Sequence, residues 1–377
     1  MTDDVYERVA EALDRLPDGF PRTDSGVELR IIKLILSPEE ASLASELRES
    51  EPLDAIAERT GLSIEETEAK LAKMAEKGIV KAGMKDGKRT FKLVSMMGWM
   101  GQLVERNVIR EDRLTPLDDI DMRQLIQLHE EWLAEGAYVA THKYSPPHSR
   151  VVPAQKALSR DQLLPWDDFD VILRSAKSFG VSHCNCRLEK DCLGIRKCDS
   201  PTKVCVFFSP VEGQPYPYRN TLAYQNLSKQ EFLGILENAE EIGLVHTMVN
   251  VNVDGGEGYG WICNCCGDCC TALRGITQFG LTPGVAVAPA NYFSVIDHDK
   301  CNQCGLCIQR CQVDAISAEG GAIAVDRDKC IGCGICVTGC PVDAARMERK
   351  SEAEIVQPPA DFVALEHERQ LSRGLIQ

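Results

Sequence analysis

The chain has 377 residues, with 42 Lys and Arg against 57 Asp and Glu, a formal charge of −15 and 44% hydrophobic residues. That apolar content is ample for the cores of two or three domains and excludes disorder over most of the length, while the acidity disfavours non-specific binding to nucleic acid or anionic lipid. All eighteen cysteines lie between Cys184 and Cys340; with no secretory leader and no membrane-length apolar run, they point to a soluble cytoplasmic protein whose thiols ligate metal rather than form disulfides.

Val5, Val9, Ala12, Leu13 and Leu16 recur at helical spacing, so residues 1–16 are expected as one helix stopped by Pro17-Asp18-Gly19. An apolar run Leu29–Leu36, helices over Pro38–Leu47, Pro52–Thr60 and Ser63–Lys77, and a hairpin turning at Asp86-Gly87 then follow. This order resembles winged-helix domains over residues 27–95. Residues 96–136 are expected to be mostly helical and closed by Gly136, with a domain boundary across Thr141–Pro153. A helix is expected over Trp166–Phe179, and Ser228-Lys229-Gln230-Glu231 is a capping box opening a second that runs to Gly243.

The densest chemistry is C-terminal. Cys301, Cys304, Cys307 and Cys311 are spaced by two, two and three residues, and Cys330, Cys333, Cys336 and Cys340 repeat that spacing. Three thiolates in one tight loop grip three irons of a cubane, while the fourth Cys reaches the other cluster. One [4Fe-4S] cluster is therefore expected on Cys301, Cys304, Cys307 and Cys340, and a second on Cys330, Cys333, Cys336 and Cys311. Over Tyr292–Met347 these residues resemble the bacterial two-cluster ferredoxins, a resemblance that implies one-electron transfer at low potential. Gln312 follows Cys311 where that family usually has Pro.

Ten further cysteines form two patches. In the first, Cys184, Cys186, Cys198 and Cys205 are the expected ligand set, with Cys192 spare. In the second, Cys263, Cys266, Cys269 and Cys270 are expected, with Cys265 unassigned. One or two additional [4Fe-4S] clusters, or zinc, would suit these thiols. Adjacent Cys265 and Cys266 cannot easily face one metal together, and the fold could let both patches share a single centre. Arg187, Lys190, Arg196, Lys197 and Lys203 are interleaved with the first patch, either as cations beside a cluster or as a solvated basic loop.

The glycine-rich stretch Asp254–Gly260 leads into a Cys cluster rather than a helix, so it does not read as a nucleotide loop. Glu65, Glu66 and Glu68 open the helix that a winged-helix DNA reader would insert, which disfavours DNA, although Lys81, Lys85, Lys88, Arg89 and Lys92 line the hairpin. The expected fold class is a multidomain α+β chain. Its parts are an N-terminal helical arm (1–26), a winged-helix-like domain (27–95), a helical connector (96–153), a central Cys-rich domain (154–290), a two-cluster ferredoxin domain (291–348) and a C-terminal tail (349–377). Their order resembles multidomain iron–sulfur proteins of anaerobic prokaryotes. The leading expectation is an electron relay between a donor and an acceptor protein; a cluster-dependent reductase and a redox-sensing winged-helix regulator are the alternatives.

Overall fold

The computed structural model describes residues 2–48, 50–108, 114–215, 225–253 and 258–377. α1 (Thr2–Asp14), α2 (Val27–Ile35) and α3 (Pro38–Glu46) pack through Val9, Leu13, Ile31, Ile32 and Ala44, with Ser37 and Glu40 forming a capping box at α3. α4 (Leu53–Thr60) and α5 (Ile64–Lys77) follow a two-residue strand, β1 (Glu51–Pro52). The hairpin β2 (Val80–Lys85) and β3 (Lys88–Leu93) completes a three-stranded antiparallel sheet in the order β1-β3-β2. Asp86 and Gly87 both have positive φ, the conformation a two-residue hairpin turn needs.

α6 (Met96–Asn107) and α7 (Met122–Trp132) then pack back onto the N-terminal helices. Gly136, at φ 104, kinks the chain before α8 (Tyr138–His142). One hydrophobic core runs from Val5 through Trp99 and Leu125 to Tyr138. The arm, the winged-helix-like segment and the connector, expected as three units, thus bury their apolar faces together.

The middle of the chain is a six-stranded antiparallel sheet in the order β4-β8-β9-β6-β5-β7. Its strands are β4 (Ser149–Val152), β5 (Ser178–His183), β6 (Lys203–Ser209), β7 (Gln225–Leu227), β8 (Val245–Val249) and β9 (Gly260–Cys265). β4 lies inside the stretch expected as a boundary, so the central sheet begins earlier than residue 154. The helix expected over Trp166–Phe179 does not form. A short α9 (Phe169–Ile172) gives way to β5, because Phe179 and Val181 alternate into the core and Gly180 lets Pro215 and the Gln225 carbonyl approach where a Cβ would meet them at 2.9 and 3.2 Å. α10 (Asn185–Leu193) follows β5 directly. α11 (Lys229–Glu241), opened by the Ser228/Glu231 capping box, covers one sheet face through Phe232 and Leu236 against Val206, Phe208, Met248 and Ile262. α12 (Thr271–Thr277) follows β9 after a short turn.

The C-terminal part is a duplicated unit: β10 (Tyr292–Ile296) pairs with β13 (Ala345–Arg349), β11 (Ile316–Glu319) pairs with β12 (Ala322–Val325), and two short helices, α13 (Leu306–Arg310) and α14 (Ile335–Thr338), lie between. The expected tail carries α15 (Phe362–Arg373), which docks on the N-terminal half: buried Arg369 donates to the carbonyls of Thr141, Tyr144 and Pro146. No helix among the described residues is long and apolar enough to cross a membrane. The glycine-rich residues 254–257 lie outside the described residues.

Candidate metal centres

The two C-terminal Cys loops are built alike. Cys301 and Cys330 donate their backbone N–H to the carbonyls of Asp297 and Asp326, at 3.0 and 2.9 Å. Gly305 and Gly334, both at φ 75, turn each loop into its short helix. At each helix end the fourth Cys is fixed in the same way, with Cys311 Sγ accepting from Ala315 N–H and Cys340 Sγ from Ala344 N–H, both at 3.2 Å. Cys301, Cys304, Cys307 and Cys340 line one cavity walled by Ile296, Leu306 and Ile323. Cys311 faces Cys330, Cys333 and Cys336 instead. The structure therefore brings together the two crossed sets of four that the spacing predicts.

Burial pushes the Cys336 thiol up to about 12 and raises Cys333 and Cys311. Such sulfurs ionise only when a metal compensates them, so these loops suit metal-coupled deprotonation. Apolar surroundings, backbone N–H donors on sulfur and four thiols in each set suit [4Fe-4S] binding.

The central thiols group differently from the expected sets. The inner strands β5, β6 and β9 lie side by side, and period-two alternation puts Cys263 and Cys265 on the face of β9 opposite Ile262, with Cys205 of β6 alongside. Cys184 and Cys270 cap the N-termini of α10 and α12, and Cys186 lies in the first turn of α10. These six thiols neighbour one another in a ring: Cys184 lies beside Cys186 and Cys205, Cys205 donates to Cys263 at 4.0 Å, Cys265 lies beside Cys263, and Cys270 lies beside Cys265 and Cys186. Thiol–thiol hydrogen bonds hold Cys186, Cys205 and Cys265 below the ordinary thiol range, Cys265 down to about 5, and together with burial raise Cys184, Cys263 and Cys270. The hydroxyls of Thr247 and Thr271 flank the ring, 3.2 Å from Cys265 Sγ and 3.5 Å from Cys186 Sγ.

The remaining thiols of the expected sets, Cys198, Cys266 and Cys269, form a second, smaller group. Neither sequence-derived quartet is thus assembled: Cys198 leaves the first set, Cys266 and Cys269 leave the second, and the unassigned Cys265 joins the ring. The signal was present in the strand pattern. Cys263 and Cys265 are two apart on a strand and share a face, while Cys266 opens the turn beyond it. Cys192 stands away, packed against the N-terminal core.

Arg187, fully buried, lies between the two groups and donates to the Pro201 and Asn264 carbonyls. Burial weakens its charge, but the thiols of Cys184, Cys266 and Cys265 more than offset this and raise its pKa. Lys190 pairs instead with Glu130 at 2.6 Å, and Arg196 with Asp191 at 2.8 Å. His183 Nδ1 pairs with the Thr202 hydroxyl at 2.9 Å. His129, Glu130 and Glu189 also converge, but Glu130 is already bound by Arg274 and Lys190, so this group reads as an ion-pair network.

The C-terminal unit joins the central domain through Gln312. Its Oε1 accepts from Gly267 N–H at 2.8 Å and its Nε2 donates to the Gly243 carbonyl at 2.9 Å. A Cβ on Gly267 would stand 2.2 Å from the Gln312 carbonyl oxygen, so glycine is required for this approach. Proline at 312 could make neither side-chain bond, which explains the departure from the ferredoxin pattern. Arg310 adds bonds to the carbonyls of Glu240 and Glu241. No curated protein and no solved structure matches the chain. Residues 294–347 match the family model of the 4Fe-4S dicluster domain, so the C-terminal region is ferredoxin-like and the chain is an iron–sulfur protein.

Proposed function

We propose that the chain is an electron relay, with the C-terminal [4Fe-4S] pair exchanging electrons with a donor protein and the six-thiol ring holding a further iron–sulfur centre that serves a partner oxidoreductase. Bound clusters would supply one-electron exchange at low potential. The observation that carries the reading is Gln312, one residue beyond Cys311, hydrogen-bonded to Gly267, one residue beyond Cys266 and two beyond Cys265. Backbone and one hydrogen bond thus link a C-terminal ligand loop to the central ring. Buried Arg187 offsets negative charge beside the ring, and the apolar faces of both domains exclude water between them.

The test is rapid mixing of the anaerobic holoprotein with a low-potential reductant, followed by freeze-quench EPR. In Gln312→Leu the C-terminal signals should appear at the wild-type rate and the central signal several-fold later. An unchanged central rate overturns the link, and no redox-active centre on the ring overturns the relay.

A reductase is the second reading, favoured by the ring having six thiols where one cubane takes four. A candidate substrate that alters the central EPR signal without touching the C-terminal ones would support it. In the winged-helix-like region, Lys88 is paired with Asp54, Arg89 with Glu68 and Lys92 with Glu366. That pairing supports a docking or scaffold role over DNA reading.

A further inference from the structure

The thiols of the C-terminal domain and those of the small central group differ in spacing. Cys198 Sγ lies 3.6 Å from both Cys269 Sγ and Cys266 Sγ, and all three sulfurs fall within 4.8 Å of one another. Among the described residues no other three thiols are so compact. In a cubane each thiolate takes a different iron, and the inorganic core stands between the ligands. That arrangement suits the four thiols lining the C-terminal cavity. A single tetrahedral ion with bonds of about 2.3 Å places its thiolates about 3.8 Å apart.

We propose that Cys198, Cys266 and Cys269 bind one zinc-class divalent ion, separate from every iron–sulfur centre of the chain, with Asp268 holding the two donor segments together. Asp268 Oδ2 lies 3.2 Å from Cys269 Sγ. The same oxygen accepts from the N–H groups of Lys197 and Cys198, at 3.1 and 3.3 Å, so one carboxylate already ties the two donor segments together. Three thiolates carry more charge than a divalent ion removes. Cations stand close to the excess: Arg187 is buried between the two thiol groups, and Arg196 donates to the Cys198 carbonyl at 2.8 Å. A set of three thiolates selects a soft or borderline ion, and zinc, with its filled d shell, adds no redox chemistry there.

The placement gives the ion a task. Cys198 lies on the loop between α10 and β6, and Cys266 and Cys269 on the turn between β9 and α12. Between those two thiols is Gly267, the residue that receives Gln312. Clasping the turn to the loop therefore fixes the surface on which the C-terminal unit docks. This task rests on the relay reading; the site itself does not.

The test is metal analysis and zinc-edge X-ray absorption on the anaerobically purified full chain. About one zinc per chain with sulfur neighbours near 2.3 Å and no iron neighbour is expected. The double variant Cys198→Ser/Cys269→Ser should lose that zinc and keep the wild-type iron content and EPR signals. Zinc with only nitrogen and oxygen neighbours, no zinc in the wild-type chain, or loss of about four irons in the variant each overturns the proposal. The absorption spectrum of the wild-type protein decides the matter even if the variant fails to fold. Zinc found in a chain whose central ring does not accept electrons would sink the relay and leave this site standing, while intact transfer without zinc would do the reverse.

Discussion

Cys340 ends the second Cys run, yet its sulfur lines the cavity of the first. Removing it should therefore damage the cluster of Cys301, Cys304 and Cys307. Cys340→Ala is expected to lose one EPR signal and about four irons while the Cys330, Cys333 and Cys336 signal persists; loss of that second signal instead would show that the runs do not cross. Among the non-ligands, His129 is buried, and burial together with Arg274 and Lys190 lowers its pKa from 6.5 to about 4, against the opposing pull of Glu130. The unfolded chain binds a proton on this residue below pH 6.5 and the folded chain does not, so stability falls as pH drops from about 6.5 towards 4. His129→Gln should flatten that part of the curve of unfolding midpoint against pH by up to about 3 kcal/mol. A wild-type slope in the variant would place the acid sensitivity elsewhere.

Secondary structure was legible where one local rule dominated. The capping boxes at Ser37 and Ser228, the Asp86-Gly87 turn and the glycine ends of α4 and α5 are all local, and the elements they bound form as expected. β5 was not legible, because Gly180 reads as a helix stop until Pro215 and Gln225 are known to press against it. α15 shows the same limit: sequence marks residues 349–377 as a tail, but Arg369 makes the helix a strap across Thr141, Tyr144 and Pro146, with Asp18 3.7 Å away. Arg369→Ala would leave those carbonyls without their donor and take one of two cations from the Asp18 carboxylate, which keeps its contact with His148. A loss of about 3 kcal/mol in urea unfolding is expected, with the first transition in the N-terminal half; a cost below about 1 kcal/mol would mean that the strap bears little of the stability.

At the scale of the molecule, charge separates the functional readings. The chain carries −15, α5 opens on Glu65 and Glu66, and three of the hairpin cations face carboxylates. Duplex DNA should therefore show no salt-dependent binding in fluorescence anisotropy at low ionic strength, with clusters either oxidised or reduced. Binding that weakens steeply with added salt would restore the regulator reading. Domain boundaries were the least legible feature at this scale, since the core running from Val5 to Tyr138 depends on which helices meet, and no composition shift marks it.

Sequence alone grouped the C-terminal thiols into the two crossed sets expected as ligands, because each loop carries its cysteines at fixed local spacing and the repeat pairs the fourth Cys of each run with the other. Tertiary structure decided the other ten thiols. Their grouping depends on the order β9-β6-β5, which sets Cys205 beside Cys263, and on two helix starts that bring Cys184, Cys186 and Cys270 to the same sheet face. It also gave Gln312 its meaning: in the sequence it is a departure from a familiar turn, and in the fold its amide can reach Gly267 because the two Cys-rich units pack against each other.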